Sequence, residues 1–138
     1  MKIVIDTNVV ISAVFFGGNP QKIIEAVVDG DFHAFATPAI IEEYCEIVDE
    51  MLKRKQGRLN RHILSPLIAK MSVIETVSVV KISRDPDDDK FIECAIDAGA
   101  VYIISGDKDL LDVGEYQNVQ IITAQEFCQK YLYGQERQ

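Results

Sequence analysis

An α/β/α sandwich around a central parallel sheet is the fold this sequence predicts, and three observations carry the prediction. Short, continuous apolar runs, Lys2–Asp6 and Val101–Ser105 foremost, suit strands buried on both faces. Stretches with apolar residues at helical spacing separate them. The resulting alternation of strand and helix calls for a parallel sheet covered on both sides, a Rossmann-like α/β topology. At 138 residues the length fits one domain. We place it at residues 1–133, with 134–138 as a frayed tail.

Lys2-Ile-Val-Ile-Asp6 is the first strand, and Asp6-Thr7-Asn8 offers N-cap chemistry to a buried helix, Val9–Phe16, that ends at Gly17-Gly18. Pro20 suits the first turn of a second helix with Ile23, Ile24, Val27 and Val28 as its stripe, stopped by Asp29-Gly30-Asp31. His33–Ala36 is the next strand. Thr37 and Pro38 then open a helix running to about Lys55, whose expected core face is Ile41, Tyr44, Cys45, Val48 and Leu52. Gly57 and Asn60 mark a break, His62–Met71 reads as a helix despite Pro66, and Thr76–Lys81 reads as a strand. Asp85–Asp89 puts acids at the positive end of a helix that faces Phe91, Ile92, Ala95 and Ile96 inward and stops at Gly99. Val101–Ser105 and Val119–Ile122 are further strands. Thr123 caps a last helix with Phe127, Tyr131 and Leu132 inward.

Composition excludes several classes. Apolar residues make up 48% of the chain, an ordinary globular share that can bury roughly two thirds of the unfolded surface. No apolar stretch is long enough to span a bilayer, and Asp6 interrupts the position where a signal peptide keeps its apolar run, so a cytoplasmic location is expected. Cys45, Cys94 and Cys128 are an odd number without paired spacing and read as buried free thiols. The net charge of −8 opposes binding of nucleic acid through the general field. One window runs the other way: Lys53, Arg54, Lys55, Arg58 and Arg61 fall within nine residues, while nine basic residues face 22 acids elsewhere. That run either clamps phosphates or complements the negative end of its helix, and the residues alone leave both open. His33 and His62 have no metal-ligand partner at useful spacing.

In parallel sheets ligands sit beyond the carboxyl ends of the strands. Asp6 and Asp107 end strands, Asp88 opens the helix that leads into the strand before Asp107, and Glu43 lies in the first turns of the helix after the second strand. Four carboxylates from distant segments thus meet at one edge. Taken singly, each has a plainer role: Asp6 as an N-cap, Asp85–Asp89 as a solvated first turn, Glu43 as a surface acid, Asp107-Lys108-Asp109 as a turn. Together they repel one another, and a hard divalent cation such as Mg²⁺ or Mn²⁺ would relieve that repulsion. Such an ion activates water and stabilises charge on a phosphoryl oxygen, so phosphodiester hydrolysis is the chemistry implied.

At this point the chain resembles the PIN domain, particularly its bacterial and archaeal toxin-like (VapC-like) branch. Ile3-Val4-Ile5-Asp6-Thr7-Asn8-Val9 is similar to the first motif of that family, and Pro38-Ala39-Ile40-Ile41-Glu42-Glu43-Tyr44 to its second. Asp85-Pro86-Asp87-Asp88-Asp89-Lys90-Phe91 through Ala95, and Ile103-Ile104-Ser105-Gly106-Asp107-Lys108-Asp109-Leu110-Leu111, resemble the third and fourth. The likeness spans roughly residues 2 to 132, and its specificity lies in four motifs in order. It implies a PIN-like fold and a metal-dependent ribonuclease that cleaves RNA endonucleolytically. Asp6, Glu43, Asp88 and Asp107 would be the metal-binding, catalytic acids, Asn8 and Ser105 polar supports, and Asp109 an extra acid. Asp88 is preferred over Asp89 because it shares the Phe91–Ile92–Ala95 face, with Asp89 held as the fallback. Glu43 sits beside the apolar face of its helix, near Ile40 and Ile47, and the family motif decides in its favour over Glu42.

The resemblance further implies the toxin of a toxin–antitoxin pair, with a small antitoxin partner and often a homodimer. Rival readings are weaker. A phosphatase of the haloacid-dehalogenase type wants an aspartate where Asn8 stands, a receiver domain wants an acid ending a middle strand, and no glycine-rich turn serves a dinucleotide. A non-catalytic PIN-like module that binds RNA or protein is the remaining alternative, and the presence of all four acids speaks against it.

Overall fold

The computed structural model describes residues 1–55 and 63–133. Gly57, Arg58, Asn60, Arg61, His62 and the 134–138 tail lie outside the described residues. Strands β1 (Lys2–Ile5), β2 (His33–Ala36), β3 (Ser72–Val73), β4 (Tyr102–Ile104), β5 (Glu115–Tyr116) and β6 (Val119–Ile122) form one sheet in the order β3-β2-β1-β4-β6-β5. All neighbours are parallel except the β5–β6 pair at the edge. β1 and β4 are the central strands, and Ile3, Val4, Ile5, Ile103 and Ile104 are wholly buried, as a strand covered on both faces requires.

The helices are α1 (Thr7–Phe16), α2 (Gly18–Val28), α3 (Pro38–Lys55), α4 (Leu64–Lys70), α5 (Asp89–Ala98), α6 (Lys108–Val113) and α7 (Ala124–Cys128), the last extended by a π turn, Gln129–Tyr133. α5 packs across β1, β2, β4 and β6, while α1 packs on α2 and α3, and α2 on α4 and α7. Helices therefore flank the sheet in the α/β/α arrangement that the strand–helix alternation predicts. No described helix is long and apolar enough to cross a membrane.

Local chemistry explains the boundaries. The Thr37 hydroxyl accepts the Ile40 N–H at the start of α3, and Thr123 with Glu126 forms a capping box on α7. Gly99 ends α5 in the left-handed region at φ 71°, a conformation only glycine adopts without a Cβ penalty. Phe127 is fully buried, in edge contact with Phe32 and Tyr102.

The structure departs from the sequence reading in five places. α3 buries Ile40, Tyr44 and Val48 completely, whereas Ile41, Cys45 and Leu52 are only partly covered. The stripe is centred about one residue away from the expected face, which turns Glu43 further toward the sheet edge. Cys45 is consequently half-buried, unlike Cys94 and Cys128. The helix after the break is shorter than expected, Leu64–Lys70, and the third strand is Ser72–Val73. The β5–β6 hairpin was not anticipated: Gln117 and Asn118 both hold positive φ, 48° and 67°, the geometry of a tight two-residue turn without its usual glycine.

The fifth departure is Thr76–Lys81, which is not a strand. Its backbone donors are spent on side chains of α5: the Val77 and Ser78 N–H groups donate to Asp97 and the Val80 N–H donates to Glu93. One turn earlier on the same helix face, Asp89 accepts the N–H groups of Ile82 and Ser83 at 3.3 and 2.9 Å. Three acids spaced four residues apart thus form a ladder of acceptors that replaces a neighbouring strand. Val77 and Val79 stay 89% and 79% exposed, so their β-branched character reports no burial. Asp89 is buried and spent on this loop. Asp89→Ala strands two backbone donors, and urea unfolding should register a loss of about 1–3 kcal/mol.

Candidate active site

The carboxyl ends of β1 and β4 lie side by side, and the Asp6 N–H donates to the Ile104 carbonyl. Asp6 therefore leaves the sheet beside Ser105. Asp6 occupies the N-cap position of α1, yet its side chain makes no capping bond. Its Oδ2 instead accepts the Ser105 hydroxyl at 2.7 Å, and the Ser105 Oγ accepts the Asp107 N–H at 2.9 Å. One fully buried serine ties two acids together. Asp107 caps α6, its Oδ1 facing the Asp109 N–H.

Asp88 enters from the other side, at the end of the 3-10 turn Pro86–Asp88 that precedes α5. Asp88, Asp107 and Asp109 each present an oxygen within 4.8 Å of the other two. Asp88 Oδ2 is buried without a hydrogen-bond partner. Asp6 and Glu43 stand outside this trio. Asp6 feels the charges of Asp107 and Glu43, and Asp88 those of Asp107 and Asp6. Asn8 is exposed on α1, at one wall of a cleft of about 410 Å³ that Ser12, Asn19, Ser105, Thr123 and Gln125 also line. None of the residues lining that cleft is charged.

Glu43 reaches the site because the buried Tyr44 hydroxyl donates to the Ile5 carbonyl, pinning α3 against the end of β1. The Glu43 carboxylate is spoken for at both oxygens. Thr7 Oγ1 donates to Oε2, and Lys90 Nζ stands 2.6 Å from Oε1. On the opposite side Arg84 lies 3.4 Å from Asp109 and also pairs with Asp112. Sequence reading did not single out Lys90, Arg84 or Thr7. Lys90 leaves one signal: a cation in the first turn of a helix opposes the macrodipole and needs another partner to justify it.

Of the basic run, Lys53 and Arg54 are exposed at the end of α3, where Arg54 pairs with Glu50 at 3.2 Å. That local pair fits the helix-end reading for Arg54. The Lys55 side chain, Arg58 and Arg61 lie outside the described residues.

Crowding has an electrostatic signature. Burial pushes the Asp6 carboxyl up to about 6, with the Ser105 hydroxyl opposing and the Asp107 charge adding to it. Asp88 is pushed up to about 8, first by burial and then by its contact with Asp107 and that residue's charge. Three hard carboxylate donors, with one Asp88 oxygen buried and without a hydrogen-bond partner, fit a divalent cation.

An α/β/α fold with an acidic cluster beyond the ends of parallel strands defines a class of hydrolase-like sites, and the comparisons with known proteins narrow it. Residues 2–109 match the PIN-domain family, to which the chain belongs. The uncharacterized protein MJ1680 of Methanocaldococcus jannaschii is 32% identical over 143 residues, covering 95% of this chain and 92% of that one. The crystal structure of PAE2754 from Pyrobaculum aerophilum superposes with a TM-score of 0.60 at 12% identity, over 94% of this chain and 88% of that chain, and attests the fold alone. PIN domains are generally nucleases, and the acidic cluster found here suits that activity.

The raised acids make the metal-free protein sensitive to pH in a defined direction. An acid whose folded pKa lies above its ordinary 3.8 favours folding while protonated, and that contribution is lost as pH rises through the folded value. With chelator present, the thermal midpoint should fall from about pH 4, steeply until Asp6 ionises near 6 and then more gently until Asp88 ionises near 8. Asp88→Asn should abolish the fall between pH 6 and 8 and lessen the one below 6, as differential scanning fluorimetry across the pH series would record.

Proposed function

We propose that this protein is a metal-dependent endoribonuclease whose ion sits among Asp88, Asp107 and Asp109 beside Asp6, with Glu43 completing the acidic wall. The observation that carries the reading is the convergence of carboxylate oxygens of Asp88, Asp107 and Asp109 within 4.8 Å of one another, with Asp88 Oδ2 buried and unpartnered. A bound Mg²⁺ or Mn²⁺ would supply an activated water and charge stabilisation at the phosphoryl oxygen. The chain's own residues prepare for it. Ser105 holds Asp6 and the Asp107 backbone in fixed relation, so the acids do not swing apart under their repulsion. Asn8 borders both Ser105 and the uncharged cleft, which has room for the nucleotide beside the scissile bond.

RNA is the proposed substrate, with Lys53, Arg54, Lys55, Arg58 and Arg61 as the segment that attracts its backbone against the net charge of −8. For the biological role we propose the toxin of a toxin–antitoxin pair, acting in the cytoplasm, with a small protein antitoxin and a homodimeric assembly. The likeness to the toxin-like branch supports that role. Growth arrest on expression, relieved by the product of an adjacent short gene, is its test.

An RNA-cleavage assay decides the enzymatic reading. Wild type should cleave with Mg²⁺ or Mn²⁺ and stop with chelator, and Asp6→Asn should lose nearly all activity; cleavage that survives either treatment would refute the mechanism. Ser105→Ala removes the tie between Asp6 and Asp107 and should weaken Mn²⁺ binding about 10–100-fold, measured by calorimetry.

A further inference from the structure

Five carboxylates surround the proposed metal position: Asp6, Glu43, Asp88, Asp107 and Asp109. The protein answers two of them with its own cations, Lys90 on Glu43 and Arg84 on Asp109. Among the described residues no lysine or arginine pairs with Asp6, Asp88 or Asp107. The two cations differ in setting. Arg84 is 65% exposed and divides itself between Asp109 and Asp112, whereas the side chains of Lys90 and Glu43 are each only 26% exposed.

We propose that Lys90 is a positioning residue whose ammonium takes the place of a second metal ion, so that the site binds a single divalent cation. Sites that cleave phosphodiesters with two ions hold them about 3.5–4 Å apart and need carboxylates for both. Glu43 lies outside the trio but close enough for Asp6 to feel its charge, so a second ion beside Asp6 would draw on it. Both of its oxygens are engaged, one by Lys90 at 2.6 Å and the other by the Thr7 hydroxyl. A divalent ion arriving there meets a fixed positive charge and must share or displace the contact already made by each oxygen. Lys90 is itself held, two residues beyond Asp88 on α5, with its ammonium 5.5 Å from the centre of the Phe91 ring. Its place in the first turn of α5 runs against the helix dipole, and the Glu43 pair is the compensating contact.

This inference rests on the proposed metal site, and the experiment separates the two. Isothermal titration calorimetry with Mn²⁺ on the full chain should give one ion per chain for wild type and for Lys90→Arg, which keeps the charge. Lys90→Gln frees Glu43 and should take up two ions, with circular dichroism verifying its fold. Should the glutamine variant not fold, Lys90→Met titrated with Mn²⁺ in the same way serves the same comparison. Two ions in wild type, or one ion in both uncharged variants, would overturn the role of Lys90 while leaving a metal nuclease standing. No Mn²⁺ uptake by wild type would remove both readings.

Discussion

Negative charge gathered from separate segments into one small volume is the constraint around which this molecule is arranged. Asp6, Asp88 and Asp107 come from three separate segments, and burial raises Asp6 to about 6 and Asp88 to about 8. Left free, such groups would move apart into water, where each is individually more stable as an anion. What prevents this is the sheet. Asp6 and Ser105 follow directly from adjacent central strands, and the Asp6 N–H to Ile104 bond continues the β1–β4 ladder into the site. The apolar residues of β1 and β4 are wholly buried, so the site draws its rigidity from the best-packed part of the core. Strain at the acids is offset by packing elsewhere, the usual arrangement where function and stability compete.

The same chemistry, a carboxylate near a helix start, does opposite work within two positions. Asp88 presents an oxygen that bonds to nothing, while Asp89 gives its oxygen to the backbone of Ile82 and Ser83. The turn geometry makes the difference. Pro86–Asp88 is a tight 3-10 turn, and the α-helix proper begins at Asp89. Asp89 thereby falls in register with Glu93 and Asp97 on the face that holds the 77–83 segment, and Asp88 falls on the side that meets Asp107. Helix phase read from sequence divides such neighbours between faces at about 100° per residue, but it assumes one continuous α-helix, and here the 3-10 turn intervenes before Asp89.

Much of the fold was legible because burial on both faces of a strand writes a continuous apolar run, and caps such as Thr37 and Thr123 mark helix starts. The site was legible in outline for a related reason: acids placed at the carboxyl ends of parallel strands are pinned to one edge by topology alone. Three features left no such mark. Thr76–Lys81 is β-branched and alternating, but its partners are side chains of α5, and propensity carries no information about which acceptor a backbone donor will find. The β5–β6 turn uses Gln117 and Asn118 at positive φ, where the expected glycine is missing. Lys90 and Arg84 looked like ordinary surface cations, because their partners Glu43 and Asp109 lie 47 and 25 residues away in sequence and only the fold brings them near.

The acidic balance of the whole chain looks unsuited to RNA, and the distribution of charge answers that difficulty. Screening confines the field of exposed acids to about one Debye length, roughly 8 Å at physiological salt, so a distant carboxylate on α2 or α7 says little to a strand lying over the site. What a phosphate would meet is local. The cleft beside Ser105 is lined without any charge, Arg84 pairs with Asp109 and Lys90 with Glu43, and a bound divalent ion would cancel most of the remaining negative charge at the centre. Under the proposed reading, the site without metal repels RNA and the site with metal admits it. Binding of substrate would then be thermodynamically linked to binding of the ion, each strengthening the other by the same factor.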